Sequence, residues 1–234
     1  MSDFKKKPQA MTCRRCGTCC RNGPPALHGP DKELYAAGCL NRSHLVTFRQ
    51  GERVHDNVQD KVQRLDREMV RIRSGPGSRS CIFYDHGQRS CRIYHRRPNE
   101  CRVFTCWDPG PLLHMYTIER VQRLDLISSH SALGQIIAQH ENMCSWARVI
   151  EILPGVHKDP AGNLAEELAR VLKADRNIRL ELRERAGASQ EELDFILGRD
   201  MASVLPGLGL RVHRARSGYR FQGTAGQPAG SISE

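Results

Sequence analysis

Residues 13 to 20 read Cys13-Arg14-Arg15-Cys16-Gly17-Thr18-Cys19-Cys20, and a second run of cysteines follows at Cys81, Cys91, Cys101 and Cys106. Short C-x-x-C loops suit a metal ion because two sulfurs can turn toward one centre while backbone N–H groups cover them. Gly17 eases that turn by tolerating positive φ. A hairpin carrying Cys81 and Cys91, with the loop after it, would bring the second four thiols to the first four. The expected metal ligands are therefore Cys13, Cys16, Cys19, Cys20, Cys81, Cys91, Cys101 and Cys106. Arg14, Arg15, Arg21, Arg92 and Arg102 stand next to cysteines in sequence, and a nearby cation favours the thiolate that binds metal. Cys39 and Cys144 lie outside both runs and read as ordinary buried thiols.

The bulk numbers make such a staple useful. The chain has 234 residues, enough for one or two domains, but only 6% aromatics, so its core should be modest for its length. The N-terminus runs from Lys5-Lys6-Lys7-Pro8 to Cys13 with no apolar stretch of the signal-peptide kind. The thiols are accordingly expected to stay reduced, in a cytoplasmic protein. No window approaches the roughly 18 apolar residues of a membrane span. A formal charge of +10 raises nucleic acid as a partner, although part of the basic excess would balance thiolates.

Composition divides the chain into a basic disordered tail at 1–12, a cysteine-rich domain at 13–111, a mainly helical region at 112–222 and a disordered tail at 223–234. The fold class expected is α+β, a strand-and-loop metal module packed against a helical C-terminal half. Gly29-Pro30-Asp31 opens a short helix that ends at Gly38. Leu45–Arg49 and Glu52–Val58 read as a hairpin around Gln50-Gly51, and Cys81–Tyr84 with Cys91–Tyr94 as another around Gly87. Leu133, Ile136, Ile137 and His140 follow a helical period, as do Leu164, Leu168, Val171, Leu172, Ile178 and Leu182. Ser189 and Glu192 form a capping-box pattern, and Leu210–Val212 with Tyr219–Phe221 suggest a final hairpin.

The N-terminal run, followed by Cys81-Ile-Phe-Tyr-Asp85, Gly87, Cys91-Arg-Ile-Tyr94, Arg97-Pro98 and Cys101-Arg-x-Phe104-x-Cys106, resembles the YkgJ-like cysteine-cluster family over about residues 13 to 107. That family is known for its CxxCxxCC domain, associated with zinc or iron chelation. The matching Tyr94, Arg97 and Arg102 are then candidate supports of the metal site, donating to sulfur or to backbone carbonyls, while Pro98 fixes a turn between ligands.

The cofactor is zinc or an iron-sulfur cluster. Eight thiolates could close two tetrahedral zinc sites or one shared-ligand site. Cys13, Cys16 and Cys19 also match the opening of a bacterial ferredoxin run, but Gly23 stands at the fourth ligand position, so a cluster would need a ligand from the second run. The resemblance extends to protein lysine N-methylases with a similar cysteine cluster, which makes an iron-sulfur-dependent enzyme related to them one alternative. No hydrolase, zinc-protease or nucleotide-binding motif occurs, so catalysis would rest on the metal alone. DNA binding is the other alternative. Leu182 to Ile196 resembles the turn of a helix-turn-helix, and Arg211, Arg214, Arg216 and Arg220 would form the basic wing of a winged helix.

Overall fold

The structure is a computed structural model that describes residues 13, 15–56, 61–215 and 218–223. It is α+β, with helices and small antiparallel sheets. The tails expected at the two ends lie outside the described residues, apart from Gly223, which closes the last strand.

The first cysteines open a one-turn helix, α1 (Thr18–Asn22), and Pro30 and Asp31 lead into α2 (Lys32–Ala36) as their residue types require. Four strands follow: β1 (Leu45–Phe48), β2 (Arg53–Asp56), β3 (Lys61–Arg64) and β4 (Met69–Ile72). The hairpin expected at Gln50-Gly51 is not there. β1 pairs with β4 and β2 with β3, both antiparallel. Gly51 N donates to Leu65 O at 2.8 Å and Leu65 N to Glu52 O at 2.9 Å, so pairing continues across the supposed turn. The four strands are one long ribbon with a corner at Gly51, whose φ of 87° bends the chain without reversing it. Its tip, with Val58, lies outside the described residues.

The second expected hairpin exists but is shorter: β5 (Tyr84–Asp85) against β6 (Ser90–Cys91), with Tyr84 opposite Cys91. Tyr84 N donates to Cys81 O at 2.9 Å, so the chain turns at Ile82-Phe83 and Cys81 precedes the strand instead of lying in it. Beyond Cys91 the chain enters a 3-10 turn, Tyr94–Arg96.

Helices then dominate: α3 (Asn99–Val103), α4 (Gly110–Met115), α5 (Arg123–Leu126), α6 (Ala132–Met143), α7 (Trp146–Lys158), α8 (Asn163–Ala186), α9 (Gln190–Ile196) and α10 (Met201–Val204). Gly187, at φ 64°, ends α8 where the sequence places its stop, and Ser189 and Glu192 cap α9 reciprocally. The closing hairpin, β7 (Leu210–Ala215) and β8 (Gly218–Gly223), is also where the pattern puts it.

Two large apolar cores form, beside a small cluster of Ala26, Val54, Leu65 and Met69. One joins Leu27, Leu45, Val70, Ile72, Phe83 and Tyr84 to Ile127, Ile137 and the α9 residues Leu193, Phe195 and Ile196. The other packs α7 and α8 beneath the β7–β8 hairpin, through Trp146, Val149, Leu168, Leu172 and Phe221. Charged side chains stitch elements together between them. Arg123, 1% exposed, donates to Glu68, to Glu141 at 2.6 Å and to the Ile196 carbonyl at 2.8 Å. Arg49, 2% exposed, donates at 2.6 Å both to Glu141 and to the Cys144 carbonyl. Beside them, His140 Nε2 lies 2.7 Å from Asp175, which also accepts from Arg179 at 3.1 Å. Burial holds His140 below its ordinary pKa, so the ring is neutral and donates from Nε2.

Candidate metal centre

The two cysteine runs meet through the backbone. Cys81 N donates to Cys20 O at 2.8 Å, which ties the start of the second run to α1. α1 itself turns on Gly17, at φ 77°, where an added Cβ would fall 2.3 Å from the Tyr84 ring. Glycine is needed there twice, for the backbone angle and for the room that Tyr84 takes. Gly17→Ala should therefore cost about 2 kcal/mol or more, strain plus displaced ring. Gly77→Ala is the control, since Gly77 has φ 59° but nothing within 4 Å of an added Cβ. Denaturant midpoints should show Gly17→Ala well below Gly77→Ala; equal midpoints would mean that the Tyr84 contact contributes nothing.

The third element of the site, α3, carries Cys101 and is clamped to the segment after α1. Glu100 Oε2 accepts from Ala26 N at 2.9 Å, and its Oε1 lies 3.1 Å from Nε2 of the fully buried His28. Asp31 accepts from His28 N at 2.9 Å and from Asn99 N at 2.8 Å. Two carboxylates thus fix the helix that presents Cys101 against the chain that presents Cys19 and Cys20. Sequence reading missed Glu100, His28 and Asp31 in this role; the nearest signal is the Pro30-Asp31 and Pro98-Asn99-Glu100 start of each helix.

The charges on the sulfurs of the two runs are felt across the junction. Burial pushes Cys81 up to about 11 and raises Cys91, and each also feels the other or Cys19. Burial likewise pushes Cys101 well up, with Cys81, Cys19 and Cys91 adding to the shift. Cys19 and Cys20 form a pair in which the Cys20 thiol hydrogen-bonds to Cys19, drawing Cys19 down to about 6 while Cys20 is held protonated. Cys16 is lowered by the Thr18 hydroxyl, 3.4 Å from its sulfur, and feels the charge on Cys19. Six of the eight predicted ligands are thus in electrostatic reach of one another or of Cys19. Cys13 and Cys106 are exposed at the edge: Cys13 Sγ accepts from Arg15 N at 3.4 Å, and Cys106 lies in the turn between Thr105 and Asp108.

The predicted supporting residues form one stack. The guanidiniums of Arg97 and Arg15 lie 3.8 and 4.1 Å from the Tyr94 ring centre. Arg102 Nε donates to the Arg97 carbonyl at 2.7 Å. Arg97 Nε is buried without a hydrogen-bond partner, and the Arg97 charge lowers both Cys19 and Cys91. A half-buried cation with no carboxylate partner among the described residues, whose charge acts on thiols that repel one another when ionised, fits an anionic metal-thiolate centre. These residues match that group. A family model described as "putative zinc- or iron-chelating domain" matches residues 12–145, more than half of the chain. The chain belongs to the CxxCxxCC family. The family match reaches past Cys106 through α5 and α6, so the CxxCxxCC unit includes helices that share the first core with Phe83 and Tyr84. No curated protein and no solved structure matches the chain.

The cysteines outside the two runs differ from each other. Cys144 is fully buried, as expected, with its sulfur 3.8 Å from the Val171 carbonyl. Cys39 is half-buried instead, and Arg96 lies 3.0 Å from its sulfur, because Cys39 follows α2 at a surface turn. Among the described residues, His140, Cys144 and Asp175 are the group whose potential ligand atoms all lie within 4.8 Å of one another. Asp175 is already occupied by Arg179, His140 and the Met201 N–H, and the carboxylates and arginines around it balance. That triad is a piece of structural scaffolding. The cysteine sulfurs of the two runs are less tightly gathered than this.

The helix-turn-helix expectation meets an obstacle of charge. α9 follows Gly187 as expected, but Leu193, Phe195 and Ile196 are buried in the core, leaving Gln190, Glu191, Glu192 and Asp194 as its polar face. An acidic face repels phosphate. In the wing, Arg211, Arg214 and Arg220 are exposed on the hairpin; Arg216 lies outside the described residues. No described helix is long and apolar enough to cross a membrane.

Proposed function

We propose that the chain holds zinc or an iron-sulfur centre through Cys13, Cys16, Cys19, Cys20, Cys81, Cys91, Cys101 and Cys106, with Tyr94, Arg97 and Arg102 supporting the ligands. The observation that supports this reading is the junction of the two runs: Cys81 N donates to Cys20 O, and the Arg97 charge acts on Cys19 of one run and on Cys91 of the other. Residues 13–111 supply the metal module and residues 112–222 its helical support. The protein works in the cytoplasm, where its thiols remain available. Zinc on thiolates alone would act as a structural or binding centre, whereas iron would open redox or methyl-transfer chemistry. Cys16→Ser and Cys91→Ser, one from each run, should each reduce the metal found by elemental analysis of the purified protein to less than half. Full metal content in both variants would refute shared ligation.

A further inference from the structure

We propose that the groove between α8 and the β7–β8 hairpin binds single-stranded nucleic acid. The groove encloses about 720 Å³ and is lined by Arg170, Lys173, Arg176, Arg214 and Arg220, with Glu166 as the one carboxylate among its lining residues. None of the five cations makes an ion pair among the described residues, in contrast to Arg49, Arg123, Arg148 and Arg179. Five like charges facing a shared hollow repel one another, and an anionic ligand relieves that repulsion. The metal centre does not explain them: the cations whose charge acts on the thiols of the two runs are Arg71, Arg92 and Arg97, on other elements.

The shape of the groove selects the kind of anion. Its floor is apolar, made by Ala165 and Ala169 on α8 and by Phe221 and Tyr219 on the hairpin. The two alanines leave the space that larger residues would fill, and Tyr219 is half-buried, its hydroxyl 3.5 Å from the Leu172 carbonyl. A basic wall over an apolar floor in which Phe221 is buried and Tyr219 partly exposed matches the way proteins hold a single strand, phosphates on the cations and a base on the Tyr219 ring. Arg170 to Arg176 span about 9 Å of helix axis, against roughly 3.4 Å of rise per phosphate in one strand. The groove is thus long enough for roughly three phosphates. A duplex presents its bases inward and cannot offer one to Tyr219.

The test is fluorescence anisotropy of a fluorescein-labelled twelve-nucleotide oligo-dT on the intact chain, titrated with salt. Neutralising three phosphates of a single strand predicts a log–log salt slope of about −2, so affinity should fall about 16-fold between roughly 50 and 200 mM salt. Arg170→Ala, Lys173→Ala and Arg176→Ala combined should weaken binding at least tenfold and flatten the slope, with metal content unchanged. Lys173→Ala alone, at an exposed helix position, should reduce the slope by about 0.7 even if the triple variant fails to fold. Tyr219→Leu should weaken binding about fivefold or more with the slope unchanged, because stacking carries no counterion term. Failure of the wild-type chain to bind at about 50 mM salt would overturn the proposal. So would equal affinity of the Lys173→Ala and wild-type chains, or tighter binding of a twelve-base-pair duplex than of oligo-dT.

Discussion

Cys101→Ser should lose the metal and melt at a markedly lower temperature than the wild-type chain. Cys101 sits on α3, which Glu100 and Asp31 pin to the segment after α1, so its sulfur has little freedom to be replaced by another ligand. Burial and the neighbouring Cys81, Cys19 and Cys91 all disfavour its thiolate, and a bound cation is what reverses that. A serine hydroxyl stays protonated and is a poor ligand for zinc or iron, so the substitution removes a ligand while changing volume little. Because the ion binds only the folded chain, its loss is a loss of folding free energy: at a free metal level a hundredfold above the dissociation constant, about 2.7 kcal/mol. Cys39→Ser should leave metal content and melting temperature unchanged, since Cys39 contacts Arg96 and none of the run cysteines. Elemental analysis and thermal unfolding of both variants read the contrast. Equal metal in the two would remove Cys101 from the ligand set.

The second large effect belongs to the ionic network. Arg123→Met should destabilise the protein by about 3 to 5 kcal/mol, because it leaves Glu68 and Glu141 without the guanidinium that neutralises them and the Ile196 carbonyl without its donor. Glu68 is the more exposed of the two to the change, since Glu141 keeps Arg49. Adding Glu68→Gln to Arg123→Met should therefore recover part of the loss. Urea midpoints read both, and a loss under about 1 kcal/mol would mean that the network contributes no more than a surface pair. The same network makes the wild-type chain acid-sensitive. Burial opposes ionisation of Glu141, but Arg49 and Arg123 outweigh it and hold the carboxyl below its ordinary pKa. A depressed folded-state pKa contributes stability above the unfolded value that disappears as the pH falls through the ordinary carboxylate range and below.

The parts of this molecule that could be read from sequence are those where a local rule has no competitor. Gly187 ends α8, Ser189 and Glu192 cap α9, and the alternation at Leu210–Val212 and Tyr219–Phe221 becomes β7 and β8. Gln50-Gly51 was misread because glycine at positive φ serves a corner as well as a reversal. What decides between them is the register of β4, some twenty residues on, and the seat that Trp146 and Ile150 give Gly51. α7 carries Pro154-Gly155, a breaker signal, yet runs through it because Val149, Ile152, Leu153 and Val156 are all anchored in the second core. The cysteines announce themselves by spacing, and the family resemblance picks out Tyr94, Arg97 and Arg102, but the stacking of Arg97 on the Tyr94 ring is seen only in the fold. The clamp of Glu100, Asp31 and His28 does not, since its partners are about seventy residues apart and only the fold brings them together. The charge on α9 was legible all along in Glu191, Glu192 and Asp194; which face turned outward was not.

The measurement that tests the metal centre most directly is elemental analysis with an optical spectrum on the wild-type chain, purified without oxygen and desalted. Bound zinc or iron should be present at one or more ions per chain, colourless if zinc and brown with sulfide-to-iron absorption if a cluster, and the cysteines of the two runs should resist a thiol reagent until the metal is removed. A folded chain free of zinc and iron, with those cysteines titrating at once, would contradict the account.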